Sequence, residues 1–335
     1  MRPTESGDDD TVRTLPVPRR KRVAWPLALT AAAVVLAGSV GVWLLRPHSS
    51  APPRTATAAV PAYSPVLSAP AFRIELATEE EISSHVATSL TVFRFADNPR
   101  ILVLDFPSLH EQGKMLNRVA AFVEKAGMPR GRVLTDSELD AAVHANGDTV
   151  ETFYLGHDYA ASALARFFEQ ADSQEIALSP QEEKLRALLR EEGWLTADVT
   201  AGLISLPAVG SDPRITASVR GAILRHELSH GEFFSNPAYA QYVHDFWLTY
   251  LTEQERAGVR AFLAREEYDV GEEELMYNEM QAYLMFTRDP AFFTPEQAGL
   301  AQLRLTELQA RFLAGMQAGW LRSVLAGYQT TASVQ

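Results

Sequence analysis

His226-Glu227-Leu228-Ser229-His230 is the stretch on which the reading of this chain turns. On an α-helix, residues four apart lie one turn apart on the same face. Both imidazoles can therefore converge on one metal ion while Glu227 stands beside it. The flanking residues agree with a helix, because Ile215, Val219, Ala222, Ile223, His226 and His230 recur at intervals of three and four and place both histidines on the apolar stripe. Histidines that point into a core need polar partners, since burying such groups alone is costly, and a metal ion is one such partner. Ser211-Asp212-Pro213 predicts the helix start, with Asp212 as N-cap and Pro213 in the first position, where its missing N–H costs nothing. Gly231 predicts its end as the C′ residue.

A catalytic zinc needs a third protein ligand and an open fourth position. A metzincin would place a histidine six residues past His230 and a glycine three residues past it, but those positions hold Asn236 and Phe233. The other common solution is a glutamate on a later helix, and Tyr277-Asn278-Glu279-Met280-Gln281-Ala282-Tyr283 offers one. Read helically, Glu279 shares a stripe with Leu275, Met276, Ala282, Tyr283 and Phe286, and a lone carboxylate on an apolar face is unfavourable unless a cation sits opposite. His244 and Asp245, within the amphipathic segment Tyr242–Trp247, are alternative ligands at positions where histidine is more often a core or boundary residue. Glu272, Glu273 and Glu274 form a charge run suited to a helix N-terminus. His157-Asp158-Tyr159 follows a strand-like run, Thr149 to Leu155, and opens a helix; a capping Asp158 beside an ordinary histidine competes there with an active-site role.

The segments His226–His230 and Asn278–Ala282 together resemble the gluzincin group of zinc metallopeptidases, in which HExxH is followed downstream by an N-E-x-x-A-like helix. The resemblance covers these two segments and no more. It implies Zn2+ held by His226, His230 and Glu279, with Glu227 as general base. It also implies an α+β, zincin-like fold, with a small N-terminal mixed α/β part and a mostly helical C-terminal part around an active-site cleft. A donor to the developing oxyanion should exist, with Tyr283, Tyr277, His244 and His157 as candidates. Two positions depart from the group's pattern. Glu232 stands where the zinc-protease signature usually has an apolar or small residue, and Tyr283 stands where several gluzincins place an aspartate that orients a ligand histidine. The hydrogen-bond partners of the two histidines are therefore unassigned by sequence.

Residues 1–22 are polar and end in Arg19-Arg20-Lys21-Arg22, after which Val23 to Leu45 carries no charge and is long enough to cross a bilayer as a helix. The basic flank puts the N-terminus in the cytoplasm and the remainder outside, a single-pass signal anchor in the cell membrane. The length of the apolar run and the lack of an A-x-A site set this reading above a cleaved signal peptide. Residues 46–70, rich in Pro, Ala, Ser and Thr, read as an extended tether, and 71–335 as the folded metallopeptidase domain. A net charge of -12 argues against nucleic acid as a partner. With no cysteine, a metal site must use nitrogen and oxygen ligands.

Within the folded part, Phe72–Leu76, Thr91–Phe95, Ile101–Phe106 and Gly202–Leu206 predict strands, and Leu109–Ala126 a helix. Thr135-x-x-Glu138, Ser179-x-x-Glu182 and Thr252-x-x-Glu255 are capping boxes that predict three further helix starts. In gluzincin-like folds an edge strand before the HExxH helix pairs with extended substrate, a place that Gly202–Leu206 would fill. The expected function is zinc-dependent hydrolysis of a peptide or protein substrate by a membrane-tethered chain. A non-catalytic envelope binding or assembly protein on the same scaffold is disfavoured by the intact Glu227, since a structural site needs no base. Zinc-dependent hydrolysis of a non-peptide bond would use the same chemistry.

Overall fold

Runs of β-branched, leucine and aromatic residues form the centre of a five-stranded sheet in the computed structural model, which describes residues 72–145 and 147–332. The basic tail, the apolar span 23–45 and the linker read from the sequence lie outside the described residues. No described helix is long and apolar enough to cross a membrane. The strands are β1 (Ile74–Ala77), β2 (Thr91–Phe95), β3 (Ile101–Phe106), β4 (His157–Ala160) and β5 (Gly202–Pro207), in the order β1-β2-β3-β5-β4. β1 and β2 run parallel, as do β3 and β5, while β2 and β3, and β5 and β4, are antiparallel.

The helices are α1 (Glu79–Ser84), α2 (Leu109–Val123), α3 (Asp136–Ala145), α4 (Ala161–Ser173), α5 (Pro180–Glu191), α6 (Ala217–Ser235), α7 (Pro237–Tyr250), α8 (Glu253–Arg265), α9 (Glu273–Gln281), α10 (Gln302–Gly315) and α11 (Trp320–Ala332). The boxes expected at Thr135, Ser179 and Thr252 are all formed, each hydroxyl accepting from the amide three residues on and each glutamate reaching back. The result is a mixed α and β architecture, with the sheet in the first half and helices dominating the second.

Side-chain alternation along the strands sorts the core. Leu102, Leu104, Phe106 and Leu203 face α2, α4 and α5, whereas Ile101, Val103, Ile204 and Leu206 face α6 through Ile223, Leu224 and Leu228. A separate apolar cluster, around Phe246, Trp247, Phe262 and Phe312, holds α7 to α11 together. One buried ion pair pins α6 to the sheet. Arg220 donates to both oxygens of Asp105 at 2.9 Å and to the carbonyls of Pro207 and Ile82, with both charged side chains fully buried.

Four expectations are corrected here. Asp212 does not cap α6. Its carboxylate accepts from the backbone and guanidinium of Arg214 in a local turn, and Thr216 caps the helix by accepting from the Val219 amide. Gly231 does not end α6, which continues to Ser235. It is a point of close approach, since a Cβ there would stand 2.9 Å from Ile101, while one on Gly202 would meet the Gly231 backbone at 3.0 Å. Thr149 to Leu155 forms turns, and the strand comes later, at β4, with His157-Asp158-Tyr159 inside it rather than opening a helix. The strand preceding the HExxH helix, β5, lies between β3 and β4, so the edge on that side of the sheet is β4.

The contact at Gly231 yields a stability prediction. Gly231→Ala is expected to lower the unfolding free energy by about 1–3 kcal/mol, the usual cost of overpacking. Denaturant unfolding reads this directly, and an unchanged midpoint would mean that the helix and sheet can part without cost.

Candidate metal centre

His226 and His230 project from the third and fourth turns of α6, and Glu279 comes to meet them from the last turn of α9. The two Nε2 atoms are 3.1 Å apart, and a Glu279 carboxylate oxygen lies 3.7 Å from that of His226 and 3.6 Å from that of His230. His230 and Glu279 are fully buried. Neither Glu279 oxygen has a partner in good hydrogen-bond geometry, although the nearby Tyr268 hydroxyl acts to lower its pKa. Burial, with Asp158, Glu124 and Glu227 close by, pushes the Glu279 carboxyl well above the ordinary glutamate range.

The far sides of both rings are fixed. His226 Nδ1 is 2.8 Å from Thr287 Oγ1, and that hydroxyl gives its own proton to the Ala282 carbonyl, so it must accept from the ring. His230 Nδ1 donates to Asn278 Oδ1 at 2.9 Å. Asn278 is steadied by Gln281, whose Nε2 also donates to Ser229 and whose Oε1 accepts from Tyr239. With both Nδ1 atoms protonated as donors, each Nε2 presents a lone pair. Two lone pairs and a buried carboxyl group then converge, an arrangement that a cation would satisfy. His226 is held neutral by burial and by the adjacent His230, which drive its pKa well below the usual value. Among the described residues, two groups could hold a metal ion by donor type and spacing, His226-His230-Glu279 and Asp158-Glu227-His230.

Glu227 is 6 % exposed, and one of its carboxylate oxygens has no partner. Burial, reinforced by Asp158 and Glu124, raises its pKa well above the ordinary range. The chain makes room for it at Gly156, where a Cβ would stand 2.0 Å from the other carboxylate oxygen. Glu227 and His226 line a cavity of about 340 Å3 walled by Tyr154, Tyr268, Tyr283 and Phe292.

The remaining sequence candidates divide sharply. Tyr283 is at the site, its ring edge-on to His226 with centroids 4.6 Å apart, and burial together with Glu279 raises its pKa. Tyr277 and His244 pack on each other away from the cleft, with ring centroids 5.2 Å apart, and His244 turns to Asp245. His157 faces the opposite side of the sheet, bonded to Ser205 and Gln112, and burial lowers its pKa to about 3. Its neighbour Asp158, pointing the other way from the same strand, is the one that reaches His230, at 3.7 Å. Sequence reasoning passed over Thr287, Tyr268, Glu124 and Gly156. Only the local chemistry of Asn278, inside the quoted motif, carried a readable signal.

Comparison with family models, with characterised proteins and with solved structures gave no match.

Proposed function

We propose that this chain is a zinc-dependent peptidase of zincin type, tethered to the cell membrane by residues 23–45 with its folded part outside the cytoplasm. The observation that carries the reading is the convergence of two Nε2 lone pairs and an unpartnered buried carboxylate beside a buried, otherwise unused glutamate. Tetrahedral ligands at about 2.0–2.1 Å from zinc stand about 3.3–3.4 Å from one another, and the three separations of 3.1, 3.6 and 3.7 Å bracket that value. His226, His230 and Glu279 would hold the ion. Bound zinc supplies Lewis acidity to the scissile carbonyl and acidifies the attacking water.

The side chains divide the remaining work. Glu227 takes the water's proton on its unpartnered oxygen and passes it to the leaving amine; its raised pKa makes it a competent carrier in both directions. Thr287 and Asn278 keep the imidazoles in the tautomer that offers Nε2. Tyr283 and Tyr268 line the cavity with Glu227 and would donate to a developing oxyanion. The edge strand β4 has unpaired backbone groups along one side for an extended substrate.

Metal analysis of the purified chain paired with digestion of a peptide library tests the reading. About one zinc per chain and metal-dependent cleavage are expected. Bound zinc with no cleavage of any peptide would favour a binding protein, and cleavage that survives chelation would remove the metal from the chemistry.

A further inference from the structure

The chain leaving α2 and the loop between α8 and α9 meet across the cleft. Lys125 and Tyr268 form an isolated antiparallel bridge, with the Ala126 amide donating to the Glu267 carbonyl at 3.0 Å and the Asp269 amide to the Glu124 carbonyl at 3.2 Å. This strap ties the sheet half of the chain to the helical half. Its Lys125 and Tyr268 line the 340 Å3 cavity with Tyr154 and Gly156, whereas its Glu124 lines a groove of about 1020 Å3 with Asp158 and Ala160. The backbone that enters β4 therefore runs from cavity to groove, and the strap stands where the two divide. A polypeptide paired along β4 occupies both spaces. An internal segment has no free end to thread, so it can be laid there only when the strap is parted.

The fastenings can be released. Two ion pairs add to the amide bonds, Lys125 to Glu267 at 2.7 Å and Arg130 to Asp269 at 2.5 Å. In the second, the side chains are 31 % and 33 % exposed, so solvent and salt weaken it. The first has a substitute on the Lys125 side. Its ammonium also sits over the rings of Phe153 and Tyr154, 4.3 and 4.8 Å from their centroids, and both rings belong to its own wall. Opposite, Glu267 holds a left-handed φ of 69°, unfavourable for a residue with a Cβ. A lone bridge of this kind, outside the sheet, is the sort of contact that opens locally while the fold stays intact.

We propose that the strap is a gate, which must part before the interior of an extended polypeptide can lie along β4, and that the closed chain takes only what fits the cavity. The proposal rests on the peptidase reading above.

The chain has no cysteine, so a pair introduced into the strap forms a single disulfide that a reductant reopens. Ala126 and Glu267 stand opposite each other, where antiparallel partners have Cα atoms about 5.5 Å apart, within the span of a disulfide. The test uses the full chain with Ala126→Cys, Glu267→Cys and Glu227→Gln, titrated calorimetrically with unfolded, carboxymethylated lactalbumin in its oxidised and reduced forms. Thermal unfolding of both forms checks that each is folded. The reduced form should bind on the order of tenfold more tightly or better, because apparent affinity scales with the open fraction, which the disulfide removes. In a second variant, Arg130→Ala, exchange of the Ala126 and Asp269 amides should rise about two- to fivefold, the scale of an exposed ion pair. Equal affinities of the two redox forms, no binding by either, or strap amides as protected as those of β3 and β5 would overturn the gate. Hydrolysis by the chain with the cysteine pair and an intact Glu227 is scored separately. If nothing is cut while the redox forms differ in binding, the peptidase reading falls and the gate stands; equal cleavage by both redox forms removes the gate and leaves the peptidase.

Discussion

Glu227→Gln is expected to keep about one zinc per chain while turnover falls about a hundredfold or more, the usual scale of a lost general base. The amide preserves shape and size in the space beside Gly156, so the cavity walls should hold their positions. The rings are oriented by Thr287 and Asn278, not by Glu227. Metal content and activity are therefore predicted to separate. Loss of zinc in this variant would assign Glu227 a structural role, and unchanged turnover would discard it as the base.

Glu279→Ala should have the opposite signature, with zinc affinity and activity lost together. The carboxylate is fully buried beside Asp158, Glu124 and Glu227, a placement that a cation opposite would stabilise. Removing it leaves two imidazoles and falls short of a complete zinc site. The control is Glu273→Ala on the same helix, whose carboxylate is bonded to Trp247 and Arg260, away from the histidines. Zinc bound with wild-type affinity by the Glu279 variant would refute Glu279 as the third ligand.

Legibility in the sequence followed the range of the forces involved. Capping boxes, β-branched runs and the i, i+4 histidine pair are local, and they gave strands β2 and β3 to the residue and the helix carrying the motif. Glu279 was readable because an isolated charge in an apolar stripe is a local anomaly too. The failures came from residues with two uses. Asp-Pro serves an Asx-type turn as readily as a helix start, and Gly231 marks a helix end in sequence but a backbone contact in the fold. Period-two alternation was invisible once β4 was read as a helix start, so attention fell on His157 when Asp158 faces the cleft. Thr287 lay beyond reach for a different reason. It follows a π-helical turn, Ala282–Phe286, whose extra residue resets the face of the helix and brings both Tyr283 and Thr287 onto His226.

The division of the centre between the two halves of the chain sets an order on biosynthesis. Both histidines and the base lie on α6, which docks on a sheet whose strands all precede it in the chain, whereas Glu279, Asn278 and Thr287 come from the helical half that follows. Because chains emerge and fold from the N-terminal end, the sheet and α6 can assemble while no third ligand exists. The histidines then have neither their orienting acceptors nor a carboxylate across from them. A nascent or truncated chain that stops before Asn278 thus carries the whole HExxH signature without the carboxylate that would complete the proposed metal site, which is assembled only once the helical half has been made.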